Sequence, residues 1–309
     1  MIQQSAKYFY LFEELLKSDI QNESSLQLDI GGQYTVQVIN SLADKLGKCL
    51  NLTTLIINLV GKLFNQGTSN LQLLFQKCSN LQILSLDLRT NQIKSDHITD
   101  RGFGLSQCQN LRRLTIDLTF NQIGGKGMQK IGQDLEKCVN LTDLVLILSG
   151  NNINDEGIFN FCSCIENCSQ LTKLNIFLGE AVFLDAKFRN FITNQGLLNI
   201  GGSLVKLSNL VTLKLDFSGN CIDDEGLFAF SLLIEKCSTL KYLSLNFWKI
   251  QEISQQGKFS ITSILRFCPN IIVLELYFQR KLFSQKMVFV KCLKNLRKMQ
   301  RVVKFELEV

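Results

Sequence analysis

The sequence predicts an α/β solenoid, with one parallel sheet on its concave side and helices on its convex side, in about 8–10 stacked repeats. Three observations predict it. A Cys-x-Asn-Leu tetrapeptide recurs from Cys49, Cys78, Cys108 and Cys138, with looser copies from Cys168, Leu207, Cys237 and Cys268; the steps are 29, 30, 30, 30, 39, 30 and 31 residues. After each copy the leucines alternate, as at Leu144, Leu146 and Leu148, which is the period of a strand with one buried face. The period then changes: Gly157, Phe161, Ile165 and Cys168 follow at helical spacing, on one face. A unit this short cannot bury its own leucines, so its neighbours must bury them.

In chain order, residues 1–25 are expected to form a capping helix, with Phe9, Phe12, Leu15 and Leu16 sealing one end. The solenoid covers 26–285, beginning with a weak copy, "LQLDIGGQYT" from Leu26. Each later unit is expected to run strand, turn and helix. The turn carries Asn91, Asn121, Asn151 or Asn220, with Ile93, Ile123, Ile153 or Ile222 two residues on. The long interval holds an insertion, "EAVFLDAKFRN". Residues 286–309 are expected to form a basic amphipathic helix, with Val290, Leu293, Leu296 and Met299 on one stripe, then a terminal strand in "KFELEV". Lysine on the outer side of a terminal helix keeps the end of such a stack soluble.

With its L-x-x-L-x-L run, its turn asparagine and a glycine before the helix, the chain resembles the leucine-rich repeat superfamily, and within it the ribonuclease-inhibitor-like class. The resemblance covers roughly Leu26 to the C-terminus. It implies a leucine-rich-repeat horseshoe and says little about the partner. Repeats of that class also occur in activators of a nuclear-transport GTPase, so regulation of a GTPase is the alternative function it implies. Those activators usually end in an acidic tail, whereas this chain ends "KNLRKMQRVVKFELEV". A recognition part of a larger signalling protein is the third reading.

Composition bounds the remaining classes. Of 309 residues, 46% are hydrophobic and 19% charged, the balance of a globular chain. No run approaches the roughly 18 apolar residues of a membrane span, and the start lacks the pattern of a secretory signal. Eleven cysteines, an odd number without such a signal, read as reduced thiols in the cytoplasm, with the nucleus as the other compartment. The net charge of +6 is uneven: from Lys249 to Lys304, twelve Lys or Arg face only Glu252 and Glu275, so the rest of the chain is mildly acidic. Nucleic-acid or membrane contact through that basic segment is the lesser reading, because aromatic residues do not interleave with the charges.

Nothing in the chain forms a credible active site, and no cofactor or metal is expected. His97 is the one histidine, so any histidine-assisted nucleophile would have to use it. It takes the place that sister repeats give to Gly127 and Gly157, at a helix start on the outer side. The repeated cysteines read as small buried hydrophobes. Asn91, Asn121, Asn151 and Asn220, with Gln33 in the first copy, read as a structural ladder that satisfies backbone groups at the turns.

The outward position between the third and fourth leucine rungs is more informative. It reads Asp29, Asn58, Asp87, Asp117, Ile147, Phe177, Asp216, Asn246, Tyr277. Strands about 4.8 Å apart make Asp87 and Asp117 like-charged neighbours, which costs stability unless a cation pairs with them. Ile147 and Phe177 place apolar surface side by side, and Trp248 is the last outward position of its own strand. The candidate partner-binding set on the concave face is therefore Asp87, Asp117, Ile147, Phe177, Asp216, Asn246, Trp248 and Tyr277. The rival expectation is that the insertion folds over Phe177. The expected function is non-catalytic recognition of a protein partner by a monomeric chain.

Overall fold

The computed structural model describes residues 6–29, 36–61, 67–180, 189–250, 253–254, 257, 268, 270–278 and 302–306. The alternating leucines make parallel strands, joined in one sheet in sequence order. These are β1 (Lys7–Phe9), β2 (Ser25–Leu28), β3 (Thr54–Asn58), β4 (Ile83–Asp87), β5 (Arg113–Asp117), β6 (Asp143–Ile147), β7 (Lys173–Phe177), β8 (Thr212–Asp216), β9 (Tyr242–Asn246), β10 (Val273–Tyr277) and β11 (Val302–Glu306). Register is kept from strand to strand: Leu114, Leu144, Leu174 and Leu213 lie side by side. Leu144, Leu146 and Leu148 are completely buried. A one-residue slip would turn every rung outward, so burial holds the register.

Helices cover the other side of the sheet: α1 (Phe12–Lys17), α2 (Val36–Leu46), α3 (Gly67–Lys77), α4 (Gly124–Leu135), α5 (Asp155–Ile165), α6 (Asn194–Lys206) and α7 (Asp224–Ile234). Their caps tie repeats together. Asp223 Oδ1 accepts the N–H groups of Glu225 and Gly226 at the start of α7, and also the Asn194 side chain from α6 at 2.7 Å. A Cβ at Gly226 would run into Asn194, so the glycine is required by close approach. The Cys-x-Asn-Leu motif has the same effect at the far end. Asn80, Asn140, Asn209 and Asn270 each donate to a backbone carbonyl of the preceding copy, that of Leu50, Gln109, Ser169 and Ser238, at 2.6–3.0 Å.

Two expectations change. The N-terminal 25 residues hold more than a helix, because β1 adds a strand ahead of Leu26. Phe9 is buried there, and its carbonyl accepts the Asp29 N–H. The repeat after Asn91 departs from the expected order too: in place of an α-helix it has two 3₁₀ turns, Ser95–His97 and Leu105–Gln107. Gly102 and Gly104 take φ of +66° and +85°, which breaks a helix. The Asp134 carboxylate on α4 caps the break, accepting the N–H of Leu105 through one oxygen and of Ser106 through the other, both at 2.9 Å. Ile98, Phe103 and Leu105 still fill the core. Of the basic segment expected to be helical from Lys286, residues 286–301 lie outside the described residues, whereas Val302–Glu306 form the terminal strand, β11, paired parallel to β10.

Candidate functional site

On the sheet face away from the helices, outward side chains form rows across the strands. Register sets Asn58 beside Asp87, then Asp117, Ile147, Phe177, Asp216, Asn246 and Tyr277 in unbroken succession. The row expected from sequence is therefore in register from Asn58 to Tyr277, whereas Asp29 lies just past the end of β2.

Its acidic and amide members have a local role that the sequence reading missed. Oδ1 of Asn58, Asp87, Asp117, Asp216 and Asn246 accepts the backbone N–H two residues on, from Val60, Arg89, Thr119, Ser218 and Trp248, at 2.8–3.2 Å. Each side chain closes the end of its own strand as an Asx turn. An Asp or Asn in this row needs no partner protein to account for it.

Asp87 and Asp117 are paired through a cation, Arg89. Its guanidinium reaches Asp87 at 2.7–3.1 Å and Asp117 at 3.6 Å. Burial pushes the Asp117 carboxyl above the usual carboxylate range, and the Asp87 charge adds to that, while hydrogen bonds from Thr119 and the Arg89 charge oppose it.

Ile147 and Phe177 interrupt the polar row. Both are part-exposed, and they sit between Asp117 and Asp216. Residues 181–188 of the insertion lie outside the described residues. Beside Phe177 on the same strand is Asn175, 7% exposed, whose Oδ1 has no hydrogen-bond partner. Sequence gave little sign of it, since an outward strand asparagine ordinarily meets water.

Towards the C-terminal strands the face is polar and already internally paired. Lys214 Nζ lies 4.9 Å from the centre of the Tyr242 ring. Burial acts to raise the Glu275 carboxyl, but hydrogen bonds from Tyr242, Ser244 and Tyr277, with the Lys214 charge, hold it below the usual range. Trp248 is half-buried, with Lys249 Nζ 4.4 Å from its ring centre. That ammonium also pairs with Glu180 at 3.6 Å. The tryptophan ring is therefore covered in part by a cation of its own chain.

At the strand ends Asn91, Asn121, Asn151 and Asn220 are buried and bonded to backbone. Asn121 Oδ1 accepts the N–H of Asn91 and of Ile93, and its Nδ2 donates to Leu88 and Leu118 carbonyls, all at 2.8–3.0 Å. Asn190 joins the same series: it accepts from Asn151 and Ile153 and donates to Leu148 and Leu178. The sequence reading passed over it because the insertion shifts its spacing, yet Ile192 two residues later carries the signal. Gln33 lies outside the described residues.

Groups with reactive chemistry are quiet. His97 sits half-exposed on the outer side, where Nδ1 accepts the Lys94 N–H at 3.2 Å and so caps a turn. Burial pushes the thiols of Cys78, Cys108 and Cys168 up to about 12, well away from thiolate chemistry. Among the described residues no cluster of His, Cys, Asp or Glu is placed to hold a metal ion, and no helix is long and apolar enough to cross a membrane.

Comparison with known proteins agrees with the repeat. The family model described as "Leucine Rich repeat" matches residues 107–132, 138–162 and 210–231. No curated protein sequence matches the chain. Among solved structures, one similar chain is leiomodin-1 actin-binding site 2, at 16% identity and a TM-score of 0.39, covering 55% of this chain and 92% of that one. Another belongs to the Rad7 and Elc1 complex in yeast, at 16% identity and a TM-score of 0.32, covering 89% of this chain and 81% of that one. Likenesses this weak have no bearing on partner or activity.

Proposed function

This chain belongs to the leucine-rich repeat superfamily, and from that premise we propose that it is a non-catalytic recognition protein whose concave sheet grips a folded protein partner. The repeats are of the ribonuclease-inhibitor-like kind, and the protein works as a monomer in the cytoplasm. One observation supports the reading above others: the part-exposed Ile147–Phe177 step in a row that is otherwise polar from Asn58 to Asn246. An apolar centre rimmed by polar groups is the usual anatomy of an interface, and a sheet held by continuous register loses little freedom on binding.

The test compares two truncations. Phe177→Ala removes outward surface and is expected to weaken capture of a partner while shifting the unfolding free energy by less than about 1 kcal/mol. Leu146→Ala, in the buried rung beside it, is expected to cost about 2–5 kcal/mol of stability. A Phe177→Ala variant that loses as much stability as Leu146→Ala would place Phe177 in the core and end the proposal.

A further inference from the structure

The Asx turns show what the Ile147–Phe177 step lacks. In five neighbouring repeats the N–H two residues beyond the row receives a side-chain oxygen, from Asn58, Asp87, Asp117, Asp216 or Asn246. Ile147 and Phe177 have no oxygen to offer. The corresponding N–H groups, of Ser149 and Gly179, meet no acceptor among the described residues. Gly179 lies so close to the next repeat that a Cβ there would strike Asp216 and Ser218. Two adjacent strands thus end in unanswered donors, directly beside the apolar step.

Unanswered donors and an apolar surface together match a polypeptide backbone carrying an apolar side chain. The flanks refine the match. Asp117 and Asp216 border the step on its two sides, each one strand away, about 4.8 Å. They oppose an incoming carboxylate and favour a lysine or arginine.

We propose that the Ile147–Phe177 step takes an extended, non-acidic segment of a protein partner: an apolar side chain over the step, carbonyl oxygens on the Ser149 and Gly179 N–H groups, and basic side chains toward Asp117 and Asp216. This rests on the reading of the concave sheet as the binding surface and names the chemistry of what binds. The carbonyl bonds replace bonds to water, so they set the register of the segment more than its affinity, which comes from apolar burial.

A random twelve-residue peptide library displayed on phage and panned against the full chain supplies the probe. Selected peptides are expected to share an apolar residue with lysine or arginine nearby. On titrating one such peptide, the amide resonances of Ser149 and Gly179 are expected to shift and their hydrogen exchange to slow, while those of Thr119 and Ser218, already bonded to Asp117 and Asp216, stay in place. Ile147→Asn restores an Asx acceptor for Ser149; it is expected to weaken the peptide at least about tenfold with no fall in melting temperature.

Failure to retain any peptide, selection of acidic flanks, or binding that leaves the Ser149 and Gly179 amides unmoved would overturn the proposal. A folded partner whose capture falls with Phe177→Ala but survives Ile147→Asn would overturn this chemistry alone and leave the concave recognition reading intact.

Discussion

The Arg89 guanidinium grips the Asp87 carboxylate two residues before it, with approaches of 2.9 and 3.1 Å from Nε and 2.7 Å from Nη2, and reaches Asp117 on the next strand at 3.6 Å. The guanidinium is about half exposed, so Arg89→Met is expected to cost no more than about 1 kcal/mol at neutral pH and moderate salt. Its pH dependence is more telling. The Asp117 carboxyl is raised in the folded protein, chiefly by burial. Ionised Asp117 therefore costs stability above its folded-state pKa, and that cost disappears as pH falls below the unfolded value, about 3.9. Arg89 offsets part of the cost. The stability gap between wild type and Arg89→Met should widen from pH 4 to pH 7 in urea unfolding and narrow in 1 M salt; a gap independent of both would mean that Arg89 acts by packing alone.

Asn121 joins two successive turns through four buried hydrogen bonds. Asn121→Ala takes the side-chain partner from the N–H groups of Asn91 and Ile93 and from the Leu88 carbonyl, whereas the Leu118 carbonyl keeps its bond from Asn151; the change is expected to destabilise the chain by about 3–5 kcal/mol. Asn140, whose single bond to Gln109 is exposed, should lose less than about 1 kcal/mol on the same change. Denaturant midpoints of the two variants give the comparison.

Asp134 faces two backbone donors with one oxygen each, beneath the repeat that lacks a helix. An amide would aim a donor at a donor. Asp134→Asn is accordingly expected to cost about 1–3 kcal/mol, with faster hydrogen exchange concentrated at Leu105 and Ser106. Burial raises the Asp134 carboxyl, against the backbone bonds that lower it. The wild type should therefore recover part of its advantage lost to ionisation as pH falls toward the unfolded carboxylate value.

Cysteine reactivity should follow burial. Among the described residues Cys221 is the exposed thiol, whereas Cys78, Cys108 and Cys168 are buried, with thiols pushed up to about 12. A disulfide reagent at pH 8 is expected to modify Cys221 within minutes and those three only after unfolding. Equal rates in the native protein would contradict the packed repeat.

The solenoid was legible because its signal repeats. A leucine spacing seen once is ambiguous between strand and helix, but the same spacing at thirty-residue steps from Cys78 to Cys168 admits only stacking. Register across Asp87, Asp117, Ile147 and Phe177 followed directly, since a parallel ladder of equal units has one way to bury every rung. Features without periodicity were not legible in this way. The missing helix after Asn91 depends on two left-handed glycines and on Asp134 from the neighbouring repeat. Asn190 was hidden by an insertion that moved it out of step.

Chain order, strand spacing and the choice of buried side chains were thus determined by the sequence alone, because solvent exclusion acts on every repeat in the same way and the period records it. What each outward Asp or Asn does was decided only in three dimensions. An Asx oxygen must reach an N–H two residues ahead, and a carboxylate pair must find Arg89 between its members. Whether Ser149, Gly179 or Asn175 is left without a partner depends on distances across strands that no spacing in the chain encodes.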